Sequence, residues 1–358
     1  MIGARTHLLD CWDPQLEWIR VPRILFQPQE FYASLIRYSV SRNIASRSFL
    51  RKYRMKTPLE ISGLYHDIRM LGPENIAHAM IGGVVGVLAC QSAAKTLGID
   101  APITAILPAN TAVYVKELYQ LLGIPVLTTD RPLIGDRFES NFNPRAFFGL
   151  AKQLLPRMLI EKLEADSGRL PKRIYLARRG SRSVRNANEI ESLLVAKGFT
   201  KIYPEQLSVL EQIRLLWHAD AVIGVHGAAI AALLFRALKT DSHPFYLMEL
   251  FGPGYIVTLY RHLVAEIGGD WIGIRGRVTP QVIEDLDTKQ GRGPWRRVSN
   301  TLSGYLPQRI LGKGAIWQRD HQASSFDVDP ASIEAALDVL KSKASEPSPR
   351  LIHDNSAL

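Results

Sequence analysis

Ala221-Val222-Ile223-Gly224-Val225-His226-Gly227-Ala228-Ala229 is the stretch on which the fold turns. Residues 221–225 are apolar or glycine with no polar alternation, the signature of a strand buried on both faces, as in a parallel sheet covered by helices. The small and apolar segment 227–235 that follows reads as a helix. In open parallel sheets ligands gather at the carboxyl ends of the strands, where the next helix offers unpaired N–H groups and the positive end of its dipole. An anion fits such a junction. Gly227 and the two alanines let a phosphate approach the backbone, and His226 adds a hydrogen bond or, protonated, a charge. Taken alone, His226 reads equally as a satisfied structural histidine, and the glycines as a plain turn.

Outward from this stretch the same alternation continues. Segment 173–177 reads as a strand. Asn186 with Glu189 three residues later makes a capping-box pattern, and Ile190, Leu193 and Leu194 supply an apolar helix face that stops at Gly198. A strand is expected at 201–203. Ser208 with Glu211 repeats the capping pattern ahead of Leu210, Ile213 and Trp217, and 245–249 is a further strand. Toward the N-terminus, 76–97 reads as a buried helix, 103–107 as a strand, 111–122 as a helix ending at Gly123 and 125–128 as a strand. Residues 130–170, punctuated by Pro132, Pro144 and Pro156, read as a junction. The glycine-, proline- and arginine-rich 276–320 reads as an insertion, 332–340 as an amphipathic helix and the end of the chain as an unstructured tail. The expected class is therefore α/β. Its expected division is a basic segment 1–60, an α/β unit 61–165, a second α/β unit 166–341 carrying the insertion, and a tail 342–358.

A chain of 358 residues, 46% hydrophobic, has material for two cores. Its two cysteines, Cys11 and Cys90, exclude a disulfide framework and a Cys-x-x-Cys site, which suits a reducing compartment. Residues 1–10 lack the apolar block of a signal peptide. Uncharged runs such as 79–94 fall short of the roughly 20 residues that cross a bilayer. A soluble or surface-associated protein is expected. The net charge of +10 points to a phosphate-bearing partner: nucleotide, nucleic acid or anionic lipid. Segment 37–56 holds seven basic residues and no acid, and reads as a solvated arm or a membrane-surface contact.

Two more features carry chemistry. The loop Arg178-Arg179-Gly180-Ser181-Arg182-Ser183-Val184-Arg185 follows the first strand of the second half, and its four guanidinium forks match phosphate oxygens. Glu249 ends a strand, where a carboxylate can accept bonds from ribose hydroxyls or join an ion pair. Together with His226 and Gly227 these form a nucleotide-binding set more specific than any member. No G-x-G-x-x-G follows a strand, and neither a P-loop nor an H-E-x-x-H pair occurs. Asp285 with Asp287, and Asp327 with Asp329, read as solvated acids or, less simply, as holders of a divalent cation. Aromatics among the basic residues are too few to support nucleic-acid binding.

The second half resembles glycosyltransferase family 61. The residues that carry the resemblance are Ile174-Tyr175-Leu176-Ala177-Arg178-Arg179, Arg185, Asn188-Glu189, Tyr203-Pro204-Glu205, Gly224-Val225-His226-Gly227-Ala228, Leu233-Leu234-Phe235 and Glu249. Asn75-Ile76-Ala77-His78 and Phe326-Asp327-Val328-Asp329 are weaker matches, so that the resemblance spans about 63–341. It implies a GT-B architecture, two Rossmann-like domains with a cleft between them, the first on the acceptor side and the second holding a nucleotide sugar. It further implies an inverting transfer to a glycan or lipid-linked acceptor in surface or capsular polysaccharide synthesis, with no cofactor and no bound metal. By the same resemblance, Arg178, Arg179, Arg185, Asn188, His226, Gly227, Ala228 and Glu249 would bind the donor, and His78 would be the base. Ala229, Ala231 and Ala232 depart from the family's Gly-Ala-Gly-Leu-Thr-Asn. That departure keeps open a degenerate nucleotide- or glycan-binding protein of the same fold; a Rossmann dehydrogenase is a third option. The expected location is the cytoplasm, with contact to the inner face of the plasma membrane as an option.

Overall fold

The computed structural model describes residues 6–10, 19–20, 33–41, 57–140, 144–165, 170–239, 244–253, 257–277 and 325–344. Its strands, in chain order, are β1 (Thr6–Asp10), β2 (Ile19–Arg20), β3 (Ala33–Ser41), β4 (Leu59–Asp67), β5 (Ile103–Leu107), β6 (Val126–Thr128), β7 (Leu133–Ser140), β8 (Arg173–Leu176), β9 (Thr200–Ile202), β10 (Ala221–Val225), β11 (Tyr246–Phe251) and β12 (Asp270–Arg275). The helices are α1 (Ile76–Thr96), α2 (Val113–Leu121), α3 (Pro144–Leu154), α4 (Leu159–Glu164), α5 (Ala187–Ala196), α6 (Val209–His218), α7 (Leu259–Glu266) and α8 (Pro330–Ala344). A 3-10 helix, Ala228–Leu238, follows β10.

All five residues of β10 are buried, as an unbroken apolar run requires. It lies inside a seven-stranded sheet of order β2-β1-β12-β11-β10-β8-β9, in which only the β1–β2 pair is antiparallel. Strands β8 to β12 give the doubly wound order 2-1-3-4-5, so the chain reverses its direction of travel between β8 and β10. Successive side chains serve opposite faces. Ile174, Leu176, Val222, Leu247, Phe251 and Trp271 join one core, while Tyr175, Ala177, Ile223, Val225, Met248 and Leu250 join another with residues of α5 and α8.

The second sheet has the order β3-β7-β4-β5-β6, parallel apart from the edge strand β3. One face of it, one face of the seven-stranded sheet, and the apolar sides of α1, α2, α3, α4, α6, α7 and the 3-10 helix share a continuous core. Helix α1 is long and apolar enough to cross a membrane, but 72% of its apolar window is buried inside this core. It serves as a core helix. A π-helical turn, Ala79–Val84, interrupts it, and a Cβ added at Gly83 there would clash with the Tyr119 hydroxyl of α2. Glycine is what lets the two helices approach.

Strands expected at 103–107 and 221–225 agree with β5 and β10 residue for residue, and those expected at 125–128, 173–177, 201–203 and 245–249 lie within two residues of β6, β8, β9 and β11. The junction expected at 130–170 is more ordered than its prolines imply. It supplies β7, which pairs with both β3 and β4, and then α3 and α4. Pro132 precedes β7, Pro144 opens α3 and Pro156 separates α3 from α4, so each proline marks a boundary between elements. Ser208 and Glu211 form the full capping box. Asn186 does not cap: its amide donates to Glu189 Oε2 (2.9 Å) and to the Val328 carbonyl (2.8 Å), and its Oδ1 accepts from the Val328 N–H (3.0 Å). Residues 42–56 of the basic segment, 278–324 with Asp285 and Asp287, and the tail from 345 lie outside the described residues.

Candidate functional site

The reversal between β8 and β10 puts the arginine loop and the His226-Gly227 turn side by side at the carboxyl edge of the sheet. Strand periodicity then sorts the loop's first two cations. Arg178 lies two residues beyond Leu176 and shares its face, which is also the face of Val222 and His226; Arg179 follows Ala177 to the opposite face. The guanidinium of Arg178 reaches Gly227 so closely that a Cβ there would lie 2.5 Å from Nη1. At φ 176° the Gly227 backbone is extended and open to any residue, so the missing side chain is there for Arg178.

Arg178 Nε donates to the Ser181 carbonyl at 2.7 Å, the only hydrogen bond of this guanidinium among the described residues. Burial, then the neighbouring Arg182 cation, lower its pKa from the ordinary arginine value, with Glu205 opposing. A half-buried cation beside another cation is a group whose charge an anion would compensate. The turn that brings them together uses two left-handed residues, Gly180 (φ 73°) and Arg182 (φ 62°). For an arginine that conformation costs about 1–3 kcal/mol.

His226 sits on a buried polar relay. Its Nδ1 is 2.5 Å from Glu249 Oε1, and Glu249 Oε2 accepts from Trp271 Nε1 at 2.8 Å. Register explains the alignment. Gly224 pairs with Glu249 and Glu249 with Gly273, so His226, Glu249 and Trp271 fall on one face of three adjacent strands. Phe251 stacks on the imidazole (centroids 5.4 Å, 23°) and Tyr260 packs at 5.5 Å. Glu249, expected at a ribose, is fully buried with both oxygens engaged, and here acts on the imidazole instead. The carboxylate holds the hydrogen on Nδ1 and fixes the ring.

The remaining candidates separate. Arg179 lays its guanidinium on the Tyr203 ring, 3.8 Å from the centroid, with Lys201 Nζ at 4.8 Å. Arg185 is paired with Asp327 (Nη2–Oδ2 2.7 Å), and its N–H bonds the Phe326 carbonyl at 2.8 Å. Asp329 is held by Arg277 at 2.9 Å and bonds the Ala331 N–H at 3.1 Å. Asp327 thus fastens the closing segment to the arginine loop, and Asp329 caps α8. Among the described residues no group of three His, Cys, Asp or Glu side chains could hold a metal. Asn188 is exposed on the first turn of α5.

His78 is exposed on the first turn of α1, and that turn packs on the 3-10 helix after β10. Its Nδ1 lies 3.0 Å from the Leu71 carbonyl. A carbonyl only accepts, so Nδ1 donates to it. Ala231 and Ala232, where the family carries a hydroxyl and an amide, are 0% and 1% exposed and belong to the core. Sequence reasoning missed Trp271, Phe251 and Tyr260 around His226, because only strand register and helix packing bring them there.

Comparison with known proteins adds one match. The family model described as Glycosyltransferase 61 matches residues 21–242, a span that takes in His78, the arginine loop and His226 and stops short of Glu249. No curated protein matches the chain.

Proposed function

The chain belongs to glycosyltransferase family 61 and is a glycosyltransferase, and from that premise we propose that it is an inverting enzyme. It moves a sugar from a nucleotide-sugar donor to a glycan or lipid-linked acceptor, in surface or capsular polysaccharide synthesis. The proposed arrangement is GT-B, with the unit at 61–165 on the acceptor side and the unit at 166–341 on the donor side. The observation that carries the reading is Arg178 lying over Gly227 at the reversal point of a doubly wound sheet, with no acid in hydrogen-bond contact among the described residues.

In the proposed reaction, His78 Nε2 takes the proton of an acceptor hydroxyl. The acceptor oxygen forms a bond to the anomeric carbon as the bond from that carbon to the β-phosphate oxygen breaks. The nucleoside diphosphate leaves with the electron pair. Charge grows on the departing phosphate, and fixed donors aimed at that charge stabilise the transition state more than the ground state. Arg178 and the first N–H groups of the 3-10 helix are those donors, with the His226 imidazole, held by Glu249, beside them. Arg185 contributes by holding the closing segment against the loop. A cytoplasmic location, with the 37–56 segment against an anionic leaflet, belongs to the same proposal.

The test is a thermal-shift screen with nucleoside diphosphates and nucleotide sugars, followed by a transfer assay. A nucleoside diphosphate should raise Tm, and Arg178→Ala and His226→Ala should each abolish the shift. An equal shift in both variants would remove the site, and transfer or donor hydrolysis above background would remove the degenerate alternative.

A further inference from the structure

This inference rests on the diphosphate position proposed above and concerns the other end of the donor. Glu249 is closed to a ligand by burial and by two hydrogen bonds. Beside the first strand, here β8 with its arginine loop, doubly wound sheets that bind nucleotides place a second strand whose end carries an acid for the ribose. Here that strand is β9, and Tyr203-Pro204-Glu205 closes it. Glu205 is exposed and makes no hydrogen bond or ion pair among the described residues. It lies near enough to Arg178 to offset part of that arginine's unfavourable charge environment.

Beside it stands a flat, charged surface. Arg179 is exposed on one side and seated on the Tyr203 ring on the other, at 3.8 Å. Lys201 is tied by Glu191 at 2.5 Å and steadies the same ring. A guanidinium fixed on an aromatic face presents its outer plane for a further stack, and a nucleobase is the planar partner of matching size. Strand β9 is two strands from β10, about 10 Å along the edge of the sheet, which is within the reach of a nucleoside diphosphate whose phosphates lie at Gly227.

We propose that the carboxyl end of β9 is the nucleoside subsite, with Glu205 accepting the hydroxyls of a ribose and the base stacked on the Arg179–Tyr203 pair. The ligand class is a ribonucleoside diphosphate, bound at both ends along one sheet edge. Arg179 thereby leaves the phosphate role given to it by sequence and takes a role at the base.

The experiment is isothermal titration of the full chain with UDP, GDP, ADP and CDP, and with inorganic pyrophosphate as the probe that lacks sugar and base. Wild type should bind at least one nucleotide more tightly than pyrophosphate. Glu205→Gln and Arg179→Ala, both at exposed positions, should each weaken that nucleotide about tenfold and leave pyrophosphate unchanged. Nucleotide affinity equal to wild type in both variants would overturn the subsite while the diphosphate position stands. An equal loss for pyrophosphate would also overturn it, since the residues would then act at the phosphates. If wild type binds neither nucleotide nor pyrophosphate, the underlying site fails and the subsite with it.

Discussion

Gly227→Ala separates the site from the fold. The extended backbone at Gly227 accepts alanine, so the substitution meets no conformational barrier. Its new methyl would stand 2.5 Å from Arg178 Nη1, against an ordinary contact of 3.4–4 Å, so the guanidinium must retreat by about 1 Å. That retreat loosens the 2.7 Å bond from Arg178 Nε to the Ser181 carbonyl, worth about 0.5–1.5 kcal/mol net. For a chain of 358 residues, at about 2.1 cal/mol/K of unfolding entropy per residue, the Tm should fall by about one to two degrees, roughly 1–2 °C per kcal/mol. Ligand binding should suffer more. A charge-assisted hydrogen bond to a phosphate oxygen is worth about 1.5–3 kcal/mol, and its loss weakens a nucleoside diphosphate by about ten- to a hundredfold. Differential scanning fluorimetry and isothermal titration on the same preparation read both quantities. Nucleotide affinity equal to wild type in Gly227→Ala would refute the placement of Arg178 against the phosphate, and a Tm drop of ten degrees or more would show that Gly227 serves the fold instead.

Other substitutions test the surroundings of the site. Glu249→Ala strands the His226 and Trp271 N–H donors in a buried site, at about 1–3 kcal/mol each; urea unfolding should show a loss of several kcal/mol, and a loss below 1 kcal/mol would count against the relay. His78→Ala breaks one exposed hydrogen bond, so Tm and nucleotide affinity should hold while transfer falls by about a hundredfold or more; retained transfer would exclude His78 as the base. Ser208→Ala should cost about 1 kcal/mol through loss of the helix cap. Hydrogen bonds from Ser208 hold the Glu211 carboxyl below its ordinary value of 4.5, so the stability due to that carboxyl is present above this pH and is lost as pH falls through the depressed folded value. The gap between wild type and Ser208→Ala in urea should narrow in acid, and a gap that widens would contradict the assignment.

How much the sequence disclosed varied with the kind of information each feature needs. The strand β10 was legible because an unbroken run of five apolar or glycine residues has one economical burial, inside a covered parallel sheet, and β5 because Thr104 is its one polar residue. β7 was not legible, since Leu133 and Phe138 are separated by glycine and charged residues and the strand is defined by its partners β3 and β4. The Asn186 and Ser208 patterns are alike in sequence, yet only Ser208 caps, because Val328 arrives from 142 residues away to claim the Asn186 amide. At the site, the neighbourhood of the arginine loop and His226 was legible from their places after β8 and β10. The sorting of the arginines was half legible: alternation showed that Arg178 and Arg179 diverge, but which of them meets Gly227 depends on which sheet face β10 shares with β8. For Glu249 the sequence left a ribose contact and an ion pair both open, and its burial beside His226 and Trp271 comes from the register of β10, β11 and β12.

The proposed site seats a diphosphate between the Arg178 guanidinium and the Gly227–Ala228 turn, within reach of His226. A crystal structure of the full chain with a bound nucleoside diphosphate tests it most directly. The expected result is a β-phosphate within hydrogen-bond distance of Arg178 Nη1 and of the first N–H groups of the 3-10 helix. A nucleotide bound on the five-stranded sheet, or on the seven-stranded sheet away from the ends of β8 and β10, would contradict it.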